Sequence, residues 1–393
     1  MDRLDELNLK LHSLVVFRNL LEDGVLALLP PLLDGMGKRA AQRLDDYARF
    51  AARLFEENGN LSDCVLDRAL GDENLYVLKR ARGEEIDPAL EDCLEGELAA
   101  LEEVAALTAR EVRLSIGYEG RLPEWRTRPI ELVAEYRRML ERLTTAGYGV
   151  FARHPMFQLE GGLILPVEFP DPVRLSDLKG YERERGAVID NTLALLSGKP
   201  AANALLYGDA GTGKSSTIKA IANEYASRGL RLVEIRKNQL LEIPKVLEAL
   251  SRNPLKFILF VDDLSFQTSG EEVGALKAIL EGTVCARTPN VVIYATSNRR
   301  HIVGERFSDR GDDDIHRNET IQEQVSLSQR FGLNVLFMKP DRDRYLEIVR
   351  ALALAQGVSK TEGLDLLAER YAIDRGGRSP RVARQFVDSI RRA

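Results

Sequence analysis

Residues 208–215 read GDAGTGKS and fill the pattern G-x-x-x-x-G-K-[ST] at every defined position. A polyphosphate needs consecutive backbone N–H groups aimed inward, and glycines let the chain turn tightly enough to supply them. The start of a helix adds partial positive charge at the same place. Gly208, Asp209, Ala210, Gly211, Thr212, Gly213, Lys214, Ser215 and Ser216 are therefore the expected nucleotide contacts, with ATP as the ligand. Lys214 should reach the β- and γ-phosphates, and the Ser215 hydroxyl should ligate Mg²⁺. Further on, FILFVDDL closes an apolar run with two carboxylates. Asp262 stands where a metal-orienting Asp would hold Mg²⁺ with Ser215, and Asp263 where a base would polarise the attacking water.

These residues need a scaffold. Five short apolar runs, at residues 204–207, 232–235, 257–261, 291–296 and 333–337, are rich in branched or aromatic residues. They read as strands buried on both faces of a parallel sheet, with helical crossovers between them. The phosphate-loop pattern follows the first run and opens a helical stretch. One strand, LVEI, separates it from the carboxylate pair, an order that favours water activation by a carboxylate next to the magnesium Asp. Ahead of this layer the chain reads as helical. Leu4, Leu7, Leu11 and Leu14 share one face, as do Leu90, Leu94, Leu98 and Leu101. Leu132, Val133, Tyr136, Leu140 and Leu143 mark a further helix. MFQLEGGLILPVEF, with Gly161 and Gly162 at its centre, predicts a β-hairpin before a proline-rich connection. The expected organisation is a helical N-terminal domain over 1–152, a hairpin and linker over 153–175, an α/β core over 176–340 and a helical lid over 341–393.

With these residues in place, 176–393 resembles an AAA+ ATPase module. More narrowly, VDDLSF, the acidic stretch DDDIHRNETIQEQ and SLSQRFGL resemble a bacterial AAA+ ATP-binding family of unassigned function. The resemblance implies a P-loop NTPase fold, with a parallel five-stranded α/β core, a C-terminal helical lid and assembly of copies into a ring such as a hexamer. It implies no substrate. It gives Asn298 the role of a sensor polar residue near the lytic water, and Arg330 that of an arginine finger reaching a neighbour's ATP. In GRSPRVARQF it gives Arg381 the second sensor role, with Arg378 as the competitor. In LSDLKGYE it sets Asp177, Leu178 and Gly180 beside the adenine. One departure stands out: many such ATPases carry Glu where this chain has Asp263, one methylene shorter.

The formal net charge of −6 lowers the expectation of a nucleic-acid partner. No apolar run is long enough to span a membrane. Three scattered cysteines, Cys64, Cys93 and Cys285, suit a reducing cytoplasm better than a disulfide framework. His12, His154, His301 and His316 lack metal spacing, and the run Asp312, Asp313, Asp314 lacks the ligand order of a calcium loop. Trp125 among Arg121, Arg126 and Arg128 is either a single-strand contact or a packing anchor. The leading functional expectation is an ATP-driven machine that remodels or assembles a protein client. A nucleotide-gated binding switch with slow turnover comes second, a nucleic-acid loader third.

Overall fold

Leu4, Leu7 and Leu11 lie along one face of the helix Arg3–His12, and all three are buried. The structure, a computed structural model, describes residues 2–264, 270–281, 288–298, 327–358 and 363–391. The acidic stretch 312–324, His301, Cys285, and Ser265 and Phe266 of VDDLSF lie outside the described residues. The chain divides into two units, Met1–Arg153 and His154–Ala393.

The first unit is helical. Several of its helices start where the sequence supplies caps: Asn60 accepts from the N–H groups of Ser62 and Asp63, and Thr108 forms a reciprocal capping box with Glu111. Gly117, at φ +71°, closes the helix Ala109–Ile116 in the left-handed region. Leu94, Leu98, Leu101, Leu132 and Tyr136 enter one core with Phe17 and Phe50. Trp125 is 5% exposed, donates from Nε1 to the Leu107 carbonyl at 2.9 Å and packs on Phe50 and Tyr47. It is a packing anchor.

One buried acid organises the entry to this core. The Glu97 carboxylate, 7% exposed, accepts three consecutive backbone N–H groups, from Val15 at 2.7 Å, Val16 at 3.1 Å and Phe17 at 3.0 Å. Glu97→Ala would strand these donors in a dry site, so the unit should lose about 2–4 kcal/mol of stability. Urea unfolding followed by the fluorescence of Trp125, the chain's single tryptophan, reads this directly. An unchanged midpoint would show that water replaces the carboxylate.

The second unit is built on a seven-stranded sheet in the order β2-β1-β4-β5-β6-β3-β7. The strands are β1 Met156–Glu160, β2 Leu163–Pro166, β3 Ala204–Gly208, β4 Leu230–Ile235, β5 Lys256–Val261, β6 Val291–Ser297 and β7 Leu333–Phe337. All five expected parallel strands are present, and β3, β4, β5 and β6 are almost wholly buried, as their apolar runs require. The count of five is corrected to seven. The hairpin is no linker: β1 pairs parallel with β4, Met156 opposite Leu232, and β2 pairs antiparallel with β1. Without it β4 would present an open row of backbone donors and acceptors, which β1 satisfies. Three further helices, Arg342–Ala355, Leu364–Asp374 and Pro380–Arg391, follow β7 and bury Tyr345, Val349, Ala383, Phe386 and Val387. The parallel layer with its appended helical bundle is the architecture that the sequence leads one to expect of this part of the chain.

Candidate functional site

Because β3 lies between β6 and β7 while the next strand in the chain, β4, lies beyond both β6 and β5, a crevice opens at the carboxyl end of β3. The phosphate-loop residues leave β3 at that point. Gly208 has φ +124°, and a Cβ there would meet the Phe337 carbonyl oxygen at 2.2 Å, so only glycine lets the loop leave β3 against β7. Gly213, at φ +92°, sits just ahead of the helix Lys214–Tyr225, whose first N–H groups therefore face the loop.

Lys214 is 5% exposed. Its Nζ donates to the carbonyls of Asp209 at 2.7 Å and Gly208 at 3.3 Å. Burial pushes its pKa down to about 8, against the pull of Asp209, Asp262 and Asp263. A cation so buried, with neutral oxygens as hydrogen-bond partners, gains most from an anion entering the loop.

The acidic end is a hydrogen-bonded array. Asp262 Oδ1 accepts from Ser215 Oγ at 2.6 Å and from Thr296 Oγ1 at 2.6 Å. The Asp263 N–H donates to Thr296 Oγ1 at 2.8 Å, and Asp263 adopts φ +49°, rare for a non-glycine residue. Asn298 Nδ2 donates to Asp263 Oδ1 at 2.8 Å, and Lys237 Nζ lies 3.3 Å from Oδ2. Ser215 and Asp262 present two hard oxygens side by side. That suits Mg²⁺, which takes one or two protein oxygens and fills the rest of its shell with phosphate and water. Among the described residues no group of three or more acids, histidines or cysteines is gathered to hold a metal alone.

The cleft has a volume of about 490 Å³ and is lined by residues from the sheet and from two of the three C-terminal helices, Arg342–Ala355 and Pro380–Arg391. Of the residues picked out in the sequence, it brings together Ala210, Gly211, Thr212, Gly213, Lys214, Ser215, Ser216, Asp262, Asp263 and Asn298 with Arg381, Asp177 and Leu178. Gly180 does not line it. It lies behind the wall, where a Cβ would come within 2.9 Å of the Ile348 side chain. Arg381 borders the cleft and its N–H donates to the Gly211 carbonyl at 3.2 Å. Arg378 instead holds Glu369 through two hydrogen bonds of 2.9 and 2.5 Å. Arg330 is not in this cleft. It lines a separate recess at the amino ends of β3 and β6, with Asn203 and Val291. The five residues of β7, about 17 Å of strand, separate it from the level of the phosphate loop.

Several residues here carried no sequence signal. Thr296 joins Asp262 to Asp263 only because β6 is the neighbour of β5. Lys237, just after β4, reaches Asp263 for the same kind of reason. Tyr181, at φ +61°, donates from its hydroxyl to the Met338 carbonyl at 2.5 Å and stacks on Phe337, with the Arg344 guanidinium 4.7 Å over its ring. Tyr181 lies within LSDLKGYE, directly after Gly180, and that position is the one available hint.

Residues 152–392 match the sequence model of a family described as "Protein of unknown function (DUF815)". The chain is similar to the chaperone protein ClpB 2 of Parasynechococcus marenigrum, 25% identical over 217 residues, covering 49% of this chain and 22% of that protein. It is also similar to the replication factor C large subunit of Thermofilum pendens, 31% identical over 117 residues, 28% of each. The chain thus spans less than a third of these curated relatives. Among solved structures, the Thermotoga maritima RuvB Holliday junction branch migration motor aligns with a TM-score of 0.39 and 16% identity, over 56% of this chain and 65% of that one.

Proposed function

The chain belongs to the family described as protein of unknown function (DUF815), and from its site we propose that it is an ATPase using ATP and Mg²⁺ to remodel or assemble a protein client. The observation that carries this reading is the array from Ser215 through Asp262 and Thr296 to Asp263 and Asn298, set beside the buried Lys214. In it Lys214 and the loop N–H groups, from Ala210 to Ser216, hold the phosphates. Ser215 and Asp262 would hold Mg²⁺, which would supply charge neutralisation at the phosphate oxygens. Asp263 takes the proton side of the attacking water, and Asn298 fixes that carboxylate through its 2.8 Å hydrogen bond. Arg381 meets the phosphates from the lid side, while Asp177 and Leu178, with Gly180 behind them, border the base. The reading places the protein in the cytoplasm.

Arg330 has no route to its own cleft, so we assign it to the cleft of a neighbouring copy in a homo-oligomeric ring. ATP turnover per protomer should then rise with protein concentration as mass measured by light scattering rises. Arg330→Ala should assemble and bind ATP yet lose about 10³-fold in turnover. Turnover independent of concentration would remove the shared site.

Titration of Lys214 gives a second test. Its pKa near 8 should rise when phosphate enters, so binding takes up protons near that pH. ATP affinity should fall as pH climbs through 8, and the heat of binding should differ between buffers of unlike ionisation enthalpy. In the empty protein the sign is opposite. The unfolded lysine holds its proton up to about 10.4, so this group's contribution to stability increases between about 8 and 10.4.

A nucleotide-gated switch is the second reading. Its support is the short Asp263 side chain, held by Lys237 as well as Asn298. A carboxylate so engaged is less available to water. Nucleic-acid loading is not favoured, with a formal net charge of −6 and Trp125 buried in a helical core.

A further inference from the structure

An acid in a phosphate-binding loop works against its ligand, yet Asp209 occupies the second position of this one. Its side chain is nearly enclosed, the residue being 8% exposed, and it points away from the cleft. Asp209 Oδ2 accepts from the Lys339 N–H at 2.7 Å, while the Asp209 N–H donates to the Phe337 carbonyl at 2.9 Å. Between these two contacts the Met338 carbonyl accepts from the Tyr181 hydroxyl at 2.5 Å. Burial holds that phenol's pKa up at about 12, so it remains a donor. Phe337 ends β7, and Asp341 caps the helix Arg342–Ala355 that begins the lid. The three residues 337–339 therefore form the passage from sheet to lid. Each is tied to the phosphate loop or to the wall of the cleft. The Asp209 carbonyl, moreover, is the nearer acceptor of Lys214 Nζ. One residue thus touches the phosphate-binding lysine with its main chain and the root of the lid with its side chain.

We propose that Asp209 is a positioning residue that couples occupancy of the phosphate loop to the lid, by gripping the Lys339 N–H at the joint between β7 and the lid. The proposal rests on the nucleotide reading of the cleft. When an anion draws Lys214 from the Asp209 carbonyl, the loop backbone at 209 readjusts, and the carboxylate carries that change to residue 339. The tie from the Arg381 N–H to the Gly211 carbonyl supplies a second attachment of the lid to the same loop, so the two must move together.

The test is amide hydrogen exchange at Lys339 in the full chain, with and without the non-hydrolysable analogue AMPPNP and magnesium. In the wild type this amide should exchange slowly, and AMPPNP should change its rate. Asp209→Asn keeps an acceptor and should keep both properties, while binding AMPPNP more tightly because a negative charge is gone. Asp209→Ala should speed exchange without ligand by about 10-fold or more, the loss expected for one charged-acceptor hydrogen bond. It should still bind AMPPNP and lose the response at Lys339. A merely structural role would speed exchange across β3 and β7 together and leave Lys339 no special case. Wild-type-like exchange and response in Asp209→Ala overturns the proposal. If Asp209→Ala does not fold, the wild type decides: a fast Lys339 amide, or one that bound AMPPNP leaves unchanged, is equally fatal. If the wild type binds no AMPPNP, the ATPase reading fails. The ligand-free comparison of Asp209→Ala with Asp209→Asn then still shows whether the grip on Lys339 exists.

Discussion

Lys214→Ala should remove measurable ATP binding while leaving the protein folded. The lysine is the cation of the loop, and truncating one partner of a buried, hydrogen-bonded charge pair costs about 2–5 kcal/mol, or roughly 30- to 5,000-fold in affinity. The fold should tolerate the change. Burial already disfavours the charged form of Lys214, and Thr212 Oγ1 still holds the Asp209 carbonyl at 2.8 Å. Isothermal titration with Mg-ATP checks the affinity, and a thermal melt checks the fold. Micromolar binding by a well-folded variant would overturn the assignment of the phosphate loop.

Asp263→Asn should separate binding from turnover. The amide keeps one oxygen able to accept from Asn298 and keeps the size of the side chain, so the array around Asp262 stays in place. It removes the group that takes the proton side of water, and general-base catalysis is worth about 10²–10⁴-fold. Affinity for ATP should stay within about threefold, since a loss confined to turnover marks an interaction made only in the transition state. The lost carboxylate also frees Lys237, so the variant should bind no worse at low salt. If turnover is unchanged, some other group positions the water.

The chemistry most legible in the sequence was the chemistry made by neighbours in the chain. The phosphate loop is a contiguous run whose glycines and lysine declare the backbone they need, and its strand and helix flank it directly. The paired carboxylates at the end of β5 were visible for the same reason. What sheet order creates was not. Thr296 binds Asp262 across the β5–β6 pairing, and nothing in VVIYATSN distinguishes that threonine from any other in a strand. Lys237 reaches Asp263 because β4 lies beside β5. The hairpin was recognised from Gly161 and Gly162. Its place in the sheet depended on the exposed edge of β4, which no local pattern records. Trp125 sat among arginines in the sequence, but its indole needed both a carbonyl partner and an apolar slot. The Leu107 carbonyl, Phe50 and Tyr47 supply these from distant positions.

The arginines show the same limit. Arg378 and Arg381 lie three residues apart, and sequence spacing does not choose between them. Arg378 precedes the helix Pro380–Arg391 and turns to Glu369, whereas Arg381 lies in its first turn beside Gly211. Arg330 was recognisable from SLSQRFGL. Only the strand direction puts it at the far end of the sheet from its own phosphate loop, and hence makes a second copy part of its assigned role.

The most direct test of the central claim is phosphate release from Mg-ATP by wild type and Asp263→Asn at saturating nucleotide, with bound nucleotide measured in the same samples. The site described here predicts equal occupancy, steady release by the wild type, and release lowered by about 10²-fold or more in the variant. Full occupancy with no release from the wild type at any protein concentration would contradict the hydrolytic role, and would leave the cleft as the seat of a nucleotide-gated switch.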